Sequence, residues 1–101
     1  MANPSDSFLE TLRQRPLLAD GGIGTLLYSR GAASESFENL NLTRQEMIQQ
    51  LHVDYINAGS EIIETNSFSG NRIKLASNGL ENDVWKINVS AAKIARNPGT
   101  A

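Results

Sequence analysis

A chain of 101 residues, 40% hydrophobic and 20% charged, has the composition of one small globular domain or of part of a larger one. Nine Lys and Arg against 11 Asp and Glu give a net charge of −2, and with no basic run there is no electrostatic footprint for nucleic acid. The absence of cysteine excludes a disulfide framework and any thiolate metal site made by this chain, and a single histidine, His52, argues against a self-contained catalytic zinc.

Met1 to Arg15 is mixed polar, without the basic and apolar regions of a secretory signal. Within it Ser5 to Arg13 is predicted to form a lead-in helix with Phe8, Leu9 and Leu12 on one face, stopped by Pro16. Leu17 to Asp20 is a short apolar run of the kind expected in a strand buried on both faces. Gly21 to Gly24 turns the chain, and Thr25 to Arg30 is predicted to make one or two helical turns ending at Gly31. Residues 31–42 have no clean period and read as a loop, in which Glu35 and Glu38 are expected to be solvated charges.

Thr43-Arg44-Gln45-Glu46 has the spacing of a capping box, a threonine cap with a glutamate three residues on. The helix it opens would carry Met47, Ile48, Leu51, Tyr55 and Ala58 on one face and close at Gly59. His52 falls inside this helix and is expected to be a partly buried packing residue rather than a catalyst. Glu61 to Thr65 reads as a second strand, with Asn66 to Gly70 as its outgoing loop. Asn71 to Ser77 suggests a short helix closed by Gly79. A longer helix follows from Asn82 to about Arg96, with Val84, Ile87, Ala91 and Ala95 on one stripe, Trp85 as a core or interface aromatic, and Pro98-Gly99 as its end.

Strands separated by helices imply parallel pairing, so the expected class is α/β. Two parallel strands alone leave open edges and half-covered faces, so the fold is expected to be incomplete in this chain. No apolar stretch approaches the roughly 18 residues of a membrane span, and the expected location is the cytoplasm.

The most informative segment is Asp20-Gly21-Gly22-Ile23-Gly24-Thr25. A carboxylate at the end of a buried strand, followed by backbone amides that glycine leaves uncovered, can grip a small zwitterion: the acid takes an ammonium and the N–H groups a carboxylate. A β-hairpin is the alternative, since Asp-Gly between hydrophobic runs is a hairpin signal, but Ile23 to Tyr28 does not alternate. A phosphate site is a weaker match, because neither glycine-rich phosphate motif is present and Asp20 would repel the anion. Glu64-Thr65-Asn66 occupies the corresponding place after the second strand, so both polar clusters would face one pocket. Asn66 could equally bond its own loop backbone, and Glu64 could be an ion-paired strand residue.

Three stretches, Leu17 to Leu27, Phe37 to Thr43 and Ala58 to Phe68, resemble the start of homocysteine S-methyltransferases in order and spacing, with Phe37 to Thr43 most similar to the bacterial enzymes fused to a methylenetetrahydrofolate reductase. The resemblance implies a (β/α)8 TIM barrel, a fold of about 250 residues, of which this chain would supply the first two βα units. It implies a lead-in helix over 1–16, a partial homocysteine-binding domain over 17–97 and a tail over 98–101. Asp20 would bind the homocysteine ammonium, Gly21 and Gly22 would offer amides to its carboxylate, and Thr65 and Asn66 would line the same pocket. Members of the family bind the homocysteine sulfur on a zinc held by cysteine thiolates, which makes the sulfur a nucleophile for the methyl group of a methylated folate or an onium compound. All such zinc ligands would lie outside this chain, since it has no cysteine. Gln45 replaces a proline common in the family. The expectation is therefore an N-terminal piece of a zinc-dependent methyltransferase making methionine, inactive alone and needing the rest of the barrel. Two rivals are a non-catalytic scaffold that folds only against a complementary segment and a small metal-free amino-acid-binding domain.

Overall fold

The computed structural model describes residues 4–32 and 36–100. Met1 to Asn3 of the lead-in segment, Glu35 with its neighbours in the predicted loop, and Ala101 of the tail lie outside the described residues. Among the described residues six helices follow one another: α1 (Pro4–Gln14), α2 (Gly24–Ser29), α3 (Leu40–Thr43), α4 (Gln45–Asn57), α5 (Arg72–Ala76) and α6 (Val84–Thr100). None of them is long and apolar enough to cross a membrane.

The core forms where α3, α4 and α6 pack against one another. On α4 the buried residues are Ile48, Leu51 and His52, with Tyr55 half-buried one turn on, the spacing of a single helical stripe. Leu27 of α2, Leu40 of α3 and Ile94 of α6 complete the same cluster, and Ile87, Ala91 and Ala95 continue the α6 stripe. Burying each of these Leu or Ile side chains contributes about 1.5–3 kcal/mol, which is why the long amphipathic helices persist without a sheet beneath them. Gly59 and Gly79 adopt φ of 112° and 72°, the left-handed conformation that ends the segments before them, as the sequence predicts.

The expected α/β class, with two βα units of a TIM barrel, is not what the chain forms. Among the described residues there is no strand and no sheet; the sole pairing is one parallel bridge between Ala19 and Ile62. Its two bonds run from Ile62 N–H to the Leu18 carbonyl (3.1 Å) and from Asp20 N–H to the Ile62 carbonyl (2.9 Å). The ladder stops on either side because carboxylates take the next rungs. The Glu64 N–H donates to Asp20 Oδ2 at 3.0 Å, and the Leu18 N–H donates to Glu61 Oε1 at 3.2 Å. A backbone donor satisfied by a side chain has no bond left for the neighbouring segment. The parallel sense of the bridge also shows that Asp20-Gly21 does not form a hairpin.

Four local expectations are corrected as well. Thr43 does not cap α4: it ends α3, donating its hydroxyl to the Asn39 carbonyl (3.3 Å), and α4 begins after Arg44 without a side-chain cap. The predicted loop over 31–42 therefore gives way to α3 at Leu40. Helix α6 continues through Pro98, which costs only one backbone bond so close to the helix end. Of the two roles expected of Trp85, the core one is excluded, since the side chain is three-quarters exposed.

Candidate functional site

The bridge carries the Asp20-Gly21-Gly22 turn and the Glu64-Thr65-Asn66 segment to the same edge of the molecule. Between them lies a cleft of about 740 Å³, whose walls include Gly21, Ile23, Phe37, Glu38, Thr65 and Asn66. Of the five residues the sequence nominated, Gly21, Thr65 and Asn66 line this cleft, whereas Asp20 and Gly22 are not among its lining residues.

Asp20 is half-buried and ties the two segments together by accepting the Glu64 N–H. Gly22 presents its carbonyl to the Tyr55 hydroxyl, which donates to it at 2.6 Å. Glycine at position 21 leaves room for this contact: a Cβ there would sit 3.0 Å from the Tyr55 hydroxyl oxygen. Thr65 is exposed, and its hydroxyl shares a hydrogen bond with that of Ser67 at 2.6 Å.

Asn66 is buried, and both hydrogens of its amide are used: Nδ2 donates to the Phe37 carbonyl (2.8 Å) and to Asn41 Oδ1 (2.9 Å). Asn41, also buried, returns a bond from its Nδ2 to the Asn66 carbonyl at 2.8 Å and a second to the Ile87 carbonyl at 3.2 Å. The loop is pinned further along by Glu38, whose Oε2 accepts the Ser69 N–H (3.2 Å), and by Asn88, whose Nδ2 donates to the Gly70 carbonyl (2.6 Å). Three attachments within five residues hold this wall of the cleft in one conformation.

Glu38 was expected to be a solvated charge, yet it is only 8% exposed. A local pattern carries little trace of that role, since its partner Ser69 lies 31 residues away and only the closure of the loop brings them together. His52 is more deeply buried than expected, fully enclosed with neither ring nitrogen bonded. Desolvation lowers its pKa below the ordinary 6.5, opposed by the negative charge of nearby Asp20, so the ring is neutral at pH 7.

Outside the cleft, Arg15 grips Glu61 with two guanidinium nitrogens, at 3.1 and 2.8 Å. That bond, with the Leu18 N–H, holds the Glu61 carboxyl below its usual pKa. No group of three or more His, Cys, Asp or Glu able to hold a metal ion occurs among the described residues, and the chain has no cysteine. The donors present do not fit a thiolate zinc centre.

What the cleft can do chemically is hold and orient a small polar molecule: it has a fixed loop on one side and the glycine turn on the other, with Glu38 and Glu64 in its walls. It contains no metal-binding set to activate a thiol. The homocysteine S-methyltransferase profile matches residues 17–100, a span that begins at the Leu17 run and includes both walls of the cleft. Covering well over half of the sequence in this way, the match shows that the chain belongs to the homocysteine S-methyltransferase family.

Proposed function

We propose that the cleft holds the amino-acid end of homocysteine during methyl transfer. Asp20 takes the ammonium, peptide N–H groups of the Gly21-Gly22 turn take the carboxylate, and Thr65 with the Asn66-anchored loop forms the opposite wall. The observation that supports this most strongly is the bond from the Glu64 N–H to Asp20 Oδ2, because it fixes the Asp20 carboxylate between the two segments that frame the cleft. The family supplies the substrate class. The methyl donor, a methylated folate in this reading, and the zinc that activates sulfur would be held by residues outside this chain, whose own donors do not fit the metal. The chain on its own is then a holder of substrate and not a catalyst. Calorimetric titration with homocysteine tests the reading. Asp20→Asn keeps an oxygen for the Glu64 N–H while removing the charge, so a loss of roughly tenfold or more in affinity, as for a charge-assisted bond, is expected with the fold intact. Equal affinity of the two proteins would refute it.

A second reading, a scaffold that folds against a complementary segment, is favoured by Phe68 at 98% exposure and by Ile73 and Trp85, which are also largely exposed. Under that reading the unfolding transition is broad for the chain alone and sharpens when the complementary segment is added.

A further inference from the structure

Among the groups that touch the glycine turn, Tyr55 has no part in the reading above, yet it makes the shortest bond to that turn: its hydroxyl donates to the Gly22 carbonyl at 2.6 Å. Tyr55 lies on α4, half-buried against the core, and is fixed there by the same stripe that buries Ile48, Leu51 and His52. The contact spans 33 residues of sequence, so it ties the turn to the most firmly packed helix and not to its own neighbours.

Peptide geometry gives this bond a consequence. In a trans peptide the carbonyl of one residue and the N–H of the next point in opposite directions, and every peptide bond in the described chain is trans. A Gly22 carbonyl held toward α4 therefore turns the Ile23 N–H away from α4. Ile23 and Gly21 both line the cleft, whereas Tyr55 does not. If the peptide rotated, a carbonyl oxygen would face the cleft, and an acceptor there would repel a carboxylate.

We infer that Tyr55 is a positioning residue for carboxylate recognition. Its hydroxyl locks the Gly22–Ile23 peptide so that a donor, and not an acceptor, faces the bound amino acid. The inference rests on the reading of the cleft as the homocysteine site and deepens it by naming what sets the polarity of that wall. The residue touches no reacting atom and acts only through the peptide it holds. Glycine at position 21 belongs to the same device, since a Cβ there would crowd the hydroxyl that makes the bond.

The test compares homocysteine with 3-mercaptopropylamine, which keeps the thiol and the ammonium but lacks the carboxylate. Both are titrated into the full chain and into Tyr55→Phe, a variant that retains the ring and its packing. The unaltered chain prefers homocysteine, and Tyr55→Phe reduces that preference about threefold to tenfold, the range for one net hydrogen bond, with the affinity for the amine unchanged. A merely structural role for the hydroxyl would weaken both ligands together and leave their ratio as it was, which overturns the inference. As a second measurement, independent of any variant, the Ile23 amide resonance of the unaltered chain shifts on adding homocysteine and not on adding the amine; a resonance that stays in place also overturns it. If the unaltered chain shows no preference between the two ligands, the homocysteine reading itself has failed.

Discussion

His52 offers the sharpest energetic prediction. It occupies a position on the buried stripe of α4, is fully enclosed, and leaves both ring nitrogens without a partner. A buried polar atom with no hydrogen bond costs about 1–3 kcal/mol, and a neutral imidazole carries one donor and one acceptor in that condition. Replacement by leucine, close to histidine in volume and a better helix former, removes both. The His52→Leu variant is expected to be more stable at pH 7.5 by about 1–3 kcal/mol, and each kcal/mol raises the melting midpoint of a chain this size by about 4–8 °C. The effect of pH has a definite sign. The folded pKa lies below the ordinary 6.5, so as pH falls below 6.5 the unfolded chain takes up a proton that the folded chain refuses. Stability is retained in full above 6.5 and falls below it by up to about 1.4 kcal/mol per pH unit, until the folded pKa is reached. Urea unfolding at pH 7.5, 6.5 and 5.5 measures this, and the leucine variant should lose the part of the slope due to position 52. A variant less stable at pH 7.5, or one with the original slope, would refute the argument.

Three further expectations follow from the same contacts. Asn66→Ala leaves the Phe37 carbonyl and Asn41 Oδ1 without their donor and should lower stability by roughly 2–4 kcal/mol, measured by urea denaturation; a change near zero would mean that the buried amide network is not formed. Gly21→Ala should cost about 0.5–1.5 kcal/mol by displacing the Tyr55 hydroxyl, and less in a Tyr55→Phe background, where the crowded oxygen is gone; equal costs in the two backgrounds would show no coupling. Elemental analysis of the purified chain after dialysis against zinc should give far less than one equivalent, because the donors do not fit the metal, and stoichiometric zinc would contradict the proposed division of labour.

The helices were legible where a long apolar stripe and a glycine stop coincide. Residues 47–59 show this, with Ile48, Leu51 and Tyr55 facing the core and Gly59 at positive φ, as does the α6 stripe through Ile87, Ala91 and Ala95. Asn71 was legible too, and its side chain accepts the Lys74 N–H at the start of α5. The strands were misread because an apolar run such as Leu17 to Ala19 fixes neither burial nor whether a neighbour extends the ladder: Leu18 is 56% exposed, and the expected strand buried on both faces does not form. Here the Asp20 and Glu61 carboxylates intercept the adjoining N–H groups, and one bridge is all that forms. Thr43 failed as a cap for a related reason: the spacing to Glu46 was right, but the preceding turn closed first. Of the nominated site residues, Gly21, Thr65 and Asn66 line one cleft, and Asp20 and Gly22 do not. Glu38 and Tyr55, which hold the loop and the glycine turn, depend on contacts 31 and 33 residues distant that no local pattern encodes.

The central claim is that the cleft recognises the amino-acid end of its ligand and not the thiol. It is tested most directly by titrating the unaltered chain with homocysteine, 4-mercaptobutanoate, 3-mercaptopropylamine and 1-butanethiol at fixed pH and salt. Homocysteine should bind best, each single deletion should cost about tenfold or more, as for a charge-assisted bond, and butanethiol should show no measurable binding. Affinities that are equal across the four ligands, and so follow the shared thiol, would contradict the account.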